Sequence, residues 1–199
     1  MAFINLKRKE IRIKIVYYGP GLSGKTTNLI YIYGKFRNQI KSKMISIDTV
    51  GDRTIFFDFL PFSLGKLGGF NIMVQLYTVP GQIRYRATRE LVLRGADGVV
   101  FVADMSQAKR KENIISLKDL HHNLMKYNRS ILNIPLVFQF NKLDLFKKNI
   151  PVLSPKILDR DLNSKLKRPY FVASALKGYN VASTLKQITS MAISSIKNN

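Results

Sequence analysis

Gly19, Gly24, Lys25 and Thr26 stand at the spacing G-x-x-x-x-G-K-T within GPGLSGKTT, residue types that together suit one kind of ligand. Glycines let the backbone curl so that its N–H groups surround an anion, and a helix beginning there adds partial positive charge. Lys25 can span the terminal phosphates of a polyphosphate, and the Thr26 hydroxyl can bind Mg²⁺. Gly21, Leu22, Ser23 and Thr27 complete the same phosphate-binding stretch. The pattern alone leaves open ATP or GTP, and a kinase or a switch.

Asn141, Lys142, Leu143 and Asp144 follow the apolar run IPLVFQF, where a ligand-reading loop should leave the carboxyl end of a parallel strand. A carboxylate accepts two hydrogen bonds and donates none. Asp144 therefore matches the guanine edge with its N1–H and 2-amino group, whereas adenine offers no such paired donors. Lys142 would cover the base and Asn141 would brace neighbouring loops. Ser174, Ala175 and Leu176 follow the run PYFVA, so that backbone N–H groups there could reach the guanine oxygen; an ordinary small-residue turn is the plainer reading.

TVPGQ, residues 78–82, lies between these motifs. Gly81 can bring a backbone N–H to a γ-phosphate and Gln82 can orient a water for in-line attack. Upstream, Thr54 is placed to cap Mg²⁺ and Arg53 to neutralise transition-state charge, although an arginine beside a strand is commonly a surface residue. His121 and His122 lack a serine, aspartate or metal-spaced partner and read as surface or core-edge residues.

These residues need a frame that brings them together. Short β-rich runs at 11–18, 53–60, 70–78, 97–104, 134–140 and 169–173 alternate with segments of helical period, which predicts an α/β domain with a mostly parallel six-stranded sheet and helices on both faces. Helical spacing appears in Leu29, Ile32, Tyr33 and Phe36, in Ile114, Leu117, His121 and Leu124, and in Val181, Leu185, Ile188, Ala192 and Ile196. Further helices are expected near 88–94 and 155–164. Only FSLGKLGG joins runs 53–60 and 70–78, too short for a parallel crossover, so one antiparallel edge strand is expected. No repeat or linker divides the 199 residues, which read as one domain over 1–199.

Composition narrows the function further. With no cysteine, disulfides, thiolate metal sites and thiol catalysis are excluded, and a cytoplasmic protein is expected. MAFINLKRKE has neither the apolar segment of a leader nor a second-position glycine for acylation, and no window approaches a membrane span. The 33 Lys and Arg against 12 Asp and Glu give a net charge of +21, which favours anionic partners. The charges come in short runs without interleaved aromatics, so a solvated face is expected, and no stable nucleic-acid complex.

GPGLSGKT, Thr54, PGQ, NKLD and SAL occur in the order of Ras-like small GTPases, and the resemblance spans nearly the whole chain. KIVYYGPGLSGKTTNL, DRTIFFDFLP, LYTVPGQ and DGVVFVAD resemble, more narrowly, the MglA family of bacterial mutual-gliding GTPases. That resemblance implies a P-loop NTPase fold and a GTP/GDP switch with Mg²⁺ that controls cell polarity and gliding motility. It also implies slow hydrolysis accelerated by a Roadblock-type, MglB-like GTPase-activating partner, with recruitment to a cell pole or the inner membrane face. Arg53 would act as an arginine finger from within the chain and Gln82 would position water. The sequence departs from the general Ras pattern at Thr78, where a metal-supporting aspartate is expected; Asp58 or Asp104 could compensate, but core-edge or capping roles suit both.

Segments 38–56 and 81–90 are the expected regulator and effector surface, with Arg84, Tyr85, Arg86 and Arg89 at the contact. Two other classes compete: a basic GTPase acting on nucleic acid or an anionic membrane surface, and a P-loop kinase. NKLD and the lack of a second substrate lid argue against the kinase. Membrane contact is expected to be peripheral at most.

Overall fold

The computed structural model describes residues 3–40, 44–47, 57–81 and 85–197. β2 (Glu10–Tyr18) lies inside the sheet, and its side chains alternate between two apolar layers. Ile13, Ile15 and Tyr17 point to one face, Val16 and Tyr18 to the other. β6 (Gly98–Asp104) and β7 (Leu136–Asn141) are buried throughout, which is why they read as continuous apolar runs rather than alternating ones. β5 (Phe70–Thr78) and β8 (Tyr170–Val172) complete a parallel set in the order β5-β2-β6-β7-β8.

β4 (Phe57–Leu67) runs antiparallel to β5. Most of the connector FSLGKLGG is strand, not loop. A register shift between Ser63 and Gly65 absorbs the glycine, and the chain turns only at Gly68 and Gly69. Both have positive φ, 56° and 80°, as a tight primed turn between twisted strands requires. Two three-residue strands join the six expected: β1 (Phe3–Asn5) pairs antiparallel with β2, and β3 (Ile45–Ile47) pairs antiparallel with β4. Three residues are too few to display a period. β3, rather than β4, therefore forms the edge of an eight-stranded sheet.

α1 (Lys25–Lys35) and α5 (Val181–Lys197) cover the face of Ile13 and Ile15 through Leu29, Ile32, Leu185, Ile188 and Ala192. α2 (Arg86–Leu93), α3 (Arg110–Met125) and α4 (Pro155–Leu162) cover the other face through Leu93, Leu120, Leu124 and Leu158. Each of these buried leucines and isoleucines contributes about 1.5–3 kcal/mol. α4 starts where Ser154 accepts a bond from the Ile157 N–H, with Pro155 in the first turn. Because the five parallel strands point the same way, the segments after β2, β5, β7 and β8 gather at one end of the sheet.

Candidate nucleotide-binding site

Gly24 caps α1 with φ 97°, and a Cβ there would overlap the Asn141 side-chain amide. The Lys25 ammonium folds back over the loop, donating to the carbonyls of Gly19 (3.0 Å) and Pro20 (2.7 Å). Lys25 is only 6% exposed. Its burial, with smaller contributions from Arg89 and Lys142 opposed by Asp58, pushes its pKa down to about 7. Phosphate oxygens are the natural counter-charge for such a group. Leu22 projects into solvent from the tip of the loop, with Ser23 buried and Gly21 and Thr27 half-buried beside it.

The loops after β7 and β8 are tied to this one. Asn141 donates from Nδ2 to the Ser23 carbonyl (2.7 Å) and accepts at Oδ1 from the Ala175 N–H (2.8 Å), so one side chain joins three strand ends. Lys142 adopts a left-handed conformation, φ 77°, and pairs with the buried Asp104 at 2.7 Å. The Ser174 hydroxyl donates to Asp144 Oδ1 at 2.5 Å, which orients the carboxylate while leaving it acceptor capacity. Leu176 is exposed beside it.

Beneath these loops lies a polar set that sequence reasoning missed. Gln139 and Asn28 exchange two amide bonds of 2.7 and 3.0 Å, Gln139 also reaches Thr184 (3.2 Å), and Asn28 holds the Gly24 carbonyl (2.9 Å). All three residues are fully buried, which couples α1, β7 and α5 directly under the phosphate loop. The available signal was one glutamine within the apolar run IPLVFQF.

On the opposite side, Asp58 of β4 is buried and accepts from two hydroxyls at Oδ2: Thr26 at 2.6 Å and Thr78 at 2.8 Å. Its own N–H donates to Thr78 Oγ1 at 2.9 Å. Asp58 thus sits at the core edge as expected, and its carboxylate bridges two hydroxyls rather than capping a helix. It sets a carboxylate beside the Thr26 hydroxyl, in the neighbourhood where Thr78 lacks one. Mg²⁺ prefers oxygen ligands and retains waters that carboxylates can hold, so this donor set fits the ion. Asp104 pairs with Lys142 on the base side instead.

Gly81 packs so closely on Pro20 and Gly21 that a Cβ would overlap their backbone, which puts it beside the phosphate loop. Arg89, expected at the contact surface, is instead buried. Only 7% of its side chain is exposed, and its Nε donates to Asp119 of α3 at 2.8 Å. Tyr18 donates to the same carboxylate, and burial together with that bond pushes its phenol well above the ordinary range. The apolar spacing of α2 turns this arginine inward. Arg53, Thr54, Gln82 and Arg84 lie outside the described residues.

A phosphate loop between strand and helix, a carboxylate loop two strands away and a metal-suited hydroxyl pair together define a P-loop guanine-nucleotide-binding domain. The Ras family model matches residues 14–194, and the chain belongs to that family. It is 46% identical over 197 residues to the mutual gliding-motility protein MglA of Myxococcus xanthus, covering 99% of this chain and 98% of the relative. It is 31% identical to the Ras-related protein Rab-7a of Dictyostelium discoideum, over 94% of this chain and 85% of that one. The Ras-related protein Rab7 of Prunus armeniaca is 29% identical over similar shares. The chain is a Ras-like GTPase that binds guanine nucleotides and hydrolyses GTP.

Proposed function

We propose that this GTPase is a molecular switch for gliding motility and cell polarity, with a GTP form and a GDP form distinguished by partners. The observation that carries the reading is the Asn141 brace, which locks the loop bearing Asp144 to the loop bearing Lys25, so that base and phosphates are read by one rigid unit. The motility assignment rests on likeness to a protein named for gliding motility.

Within this reading Gly19, Gly21–Thr27 and Gly81 hold the phosphates. Lys142 and Leu176 flank the base, Asp144 selects it, and Ser174 and Ala175 support it. Mg²⁺ would be held by Thr26 and Thr54, with Asp58 orienting its water shell; the ion would offset charge on the phosphates. Gln82 positions the attacking water and Arg53 stabilises charge on the transferred phosphoryl group. A Roadblock-type, MglB-like partner acts on segments 38–56 and 81–90 and thereby raises a slow basal rate. The protein is cytoplasmic in this reading and is recruited to a cell pole.

Nucleotide analysis of the purified protein, with and without a Roadblock partner, tests this. Bound guanine nucleotide and partner-dependent conversion of GTP to GDP are expected. Bound adenine nucleotide, or turnover indifferent to the partner, would defeat the reading.

A further inference from the structure

The nucleotide site occupies one end of the sheet; β2, about 30 Å long, leads to the other. There the turn after β1 carries Leu6, Lys7, Arg8 and Lys9, all exposed, and Leu6 is 73% accessible. The Arg8 N–H is held by Asn5 Oδ1 and the Lys9 carbonyl accepts from Asn71, so the turn is anchored against the start of β5. Lys66, exposed in the β4–β5 hairpin, stands beside it. Among the described residues none of these four cations forms an ion pair, and the nearby carboxylate of Glu10 is taken by Arg12 at 2.5 Å.

The same end bears an apolar groove of about 290 Å³ between Ile11, Phe70, Ile193 and Ile196. Ile4 of β1 pairs directly with Ile11, and directly opposed residues share a face, so Ile4, 49% exposed, extends the groove toward Leu6. The loops preceding β6 and β8 add exposed Arg94, Lys165 and Lys167 to this end, while Asp97 there is buried and accepts from the Lys14 N–H.

We propose that this end of the molecule docks on an anionic lipid bilayer, with Lys7, Arg8, Lys9 and Lys66 against the headgroups and Leu6 and Ile4 entering the interface. Charge complementarity brings the surface to acidic lipid, and the aliphatic centre distinguishes it from a solvated basic face. Nucleic acid is disfavoured because the most exposed apolar residues here, Leu6 and Ile4, are aliphatic, and the Phe70 ring is half-buried in the groove rather than presented for a base to stack on. Docking in this way leaves the nucleotide end open to solvent and to partners. The inference goes beyond the switch function and does not depend on it.

Each well-placed basic residue contributes about 1 kcal/mol toward an acidic membrane, or roughly fivefold in partitioning. The GDP-loaded full chain is sedimented with vesicles of phosphatidylcholine alone or enriched in phosphatidylglycerol. Salt-sensitive binding to the second kind only is expected. Lys7→Gln/Arg8→Gln/Lys9→Gln should weaken it roughly a hundredfold and Leu6→Ser about tenfold. Lys147→Gln/Lys148→Gln/Lys156→Gln, elsewhere on the surface, should cost only a few-fold. Unchanged GDP content and melting temperature show that each variant is folded and its nucleotide site intact, which separates this test from that of the switch. The proposal is overturned if wild type ignores acidic vesicles, if both triple variants lose equally, or if Leu6→Ser is without effect. Tighter binding to single-stranded RNA than to acidic vesicles, abolished by the Lys7–Lys9 variant, would likewise overturn it in favour of a nucleic-acid surface.

Discussion

Asp144 and Asp58 are both carboxylates at the rim of one site, yet they reach it by different routes. Asp144 follows its own strand, β7, within a contiguous motif, and Ser174 steadies it. Asp58 comes from β4 and meets Thr26 and Thr78 only because Phe59 pairs with Tyr77 in the antiparallel register. A function carried by one loop at one strand end is written in residue spacing. A function carried by the register between strands is written in the fold.

The largest expected effect tests whether turnover belongs to the metal side alone. Arginine fingers contribute about 10³ to 10⁵ in rate where they are used, so Arg53→Ala should nearly abolish partner-stimulated hydrolysis while GTP affinity changes little. Single-turnover phosphate release measures it. Stimulated rates equal to wild type would remove Arg53 from catalysis and leave the two sides less separate than proposed.

Next comes the base side. Loss of a charge-assisted hydrogen-bonding partner costs about 1.5–3 kcal/mol, or roughly 10- to 150-fold, so Asp144→Ala should bind GDP that much more weakly and lose its preference over ADP. Titration of fluorescent GDP and ADP shows both. Retained selectivity would mean that another group reads the base.

On the metal side, Asp58→Asn keeps size but removes the charge that accepts from Thr26 and Thr78. Groups that orient a metal's ligands typically contribute 10- to 100-fold in metal affinity. A corresponding rise in the Mg²⁺ concentration needed to slow GDP release is expected, with the GDP/ADP preference unchanged. Adding Thr78→Asp should recover part of the loss. An unaltered Mg²⁺ dependence would reduce Asp58 to a structural bond between strands.

What was legible in the sequence follows the same division. GPGLSGKTT and NKLD could be read as sites because the loop chemistry is local, and the alternation of IRIKIVYY and GVVFVAD with helical spacing sufficed to locate the main strands along the chain, though not their order in the sheet. The three-residue β1 and β3 carry no period. The Asn28–Gln139–Thr184 set needs three elements brought together before its polarity makes sense. Arg89 looked like a surface cation until α2 was placed against Asp119 of α3.

The smallest effect concerns Lys25, the group that links both sides through the phosphates. Its pKa is lowered from 10.5 to about 7, chiefly by burial. In protein stripped of nucleotide, the unfolded chain therefore holds more protons than the folded one between those two values. Stability should rise with pH across that window, and below it the cost of the buried charge is complete. Phosphates beside the ammonium favour its charged form and raise the value again. GDP binding near pH 8.5 should then take up most of one proton, and affinity should fall as pH rises above 7. Calorimetry in two buffers of different ionisation enthalpy counts that proton. Asp144→Ala should show the same uptake despite its weaker binding, because the proton belongs to the phosphate loop rather than the base. Uptake that vanished in Asp144→Ala would tie protonation to base recognition and dissolve the distinction between the two sides, and no uptake in wild type would mean that Lys25 is already charged before nucleotide arrives.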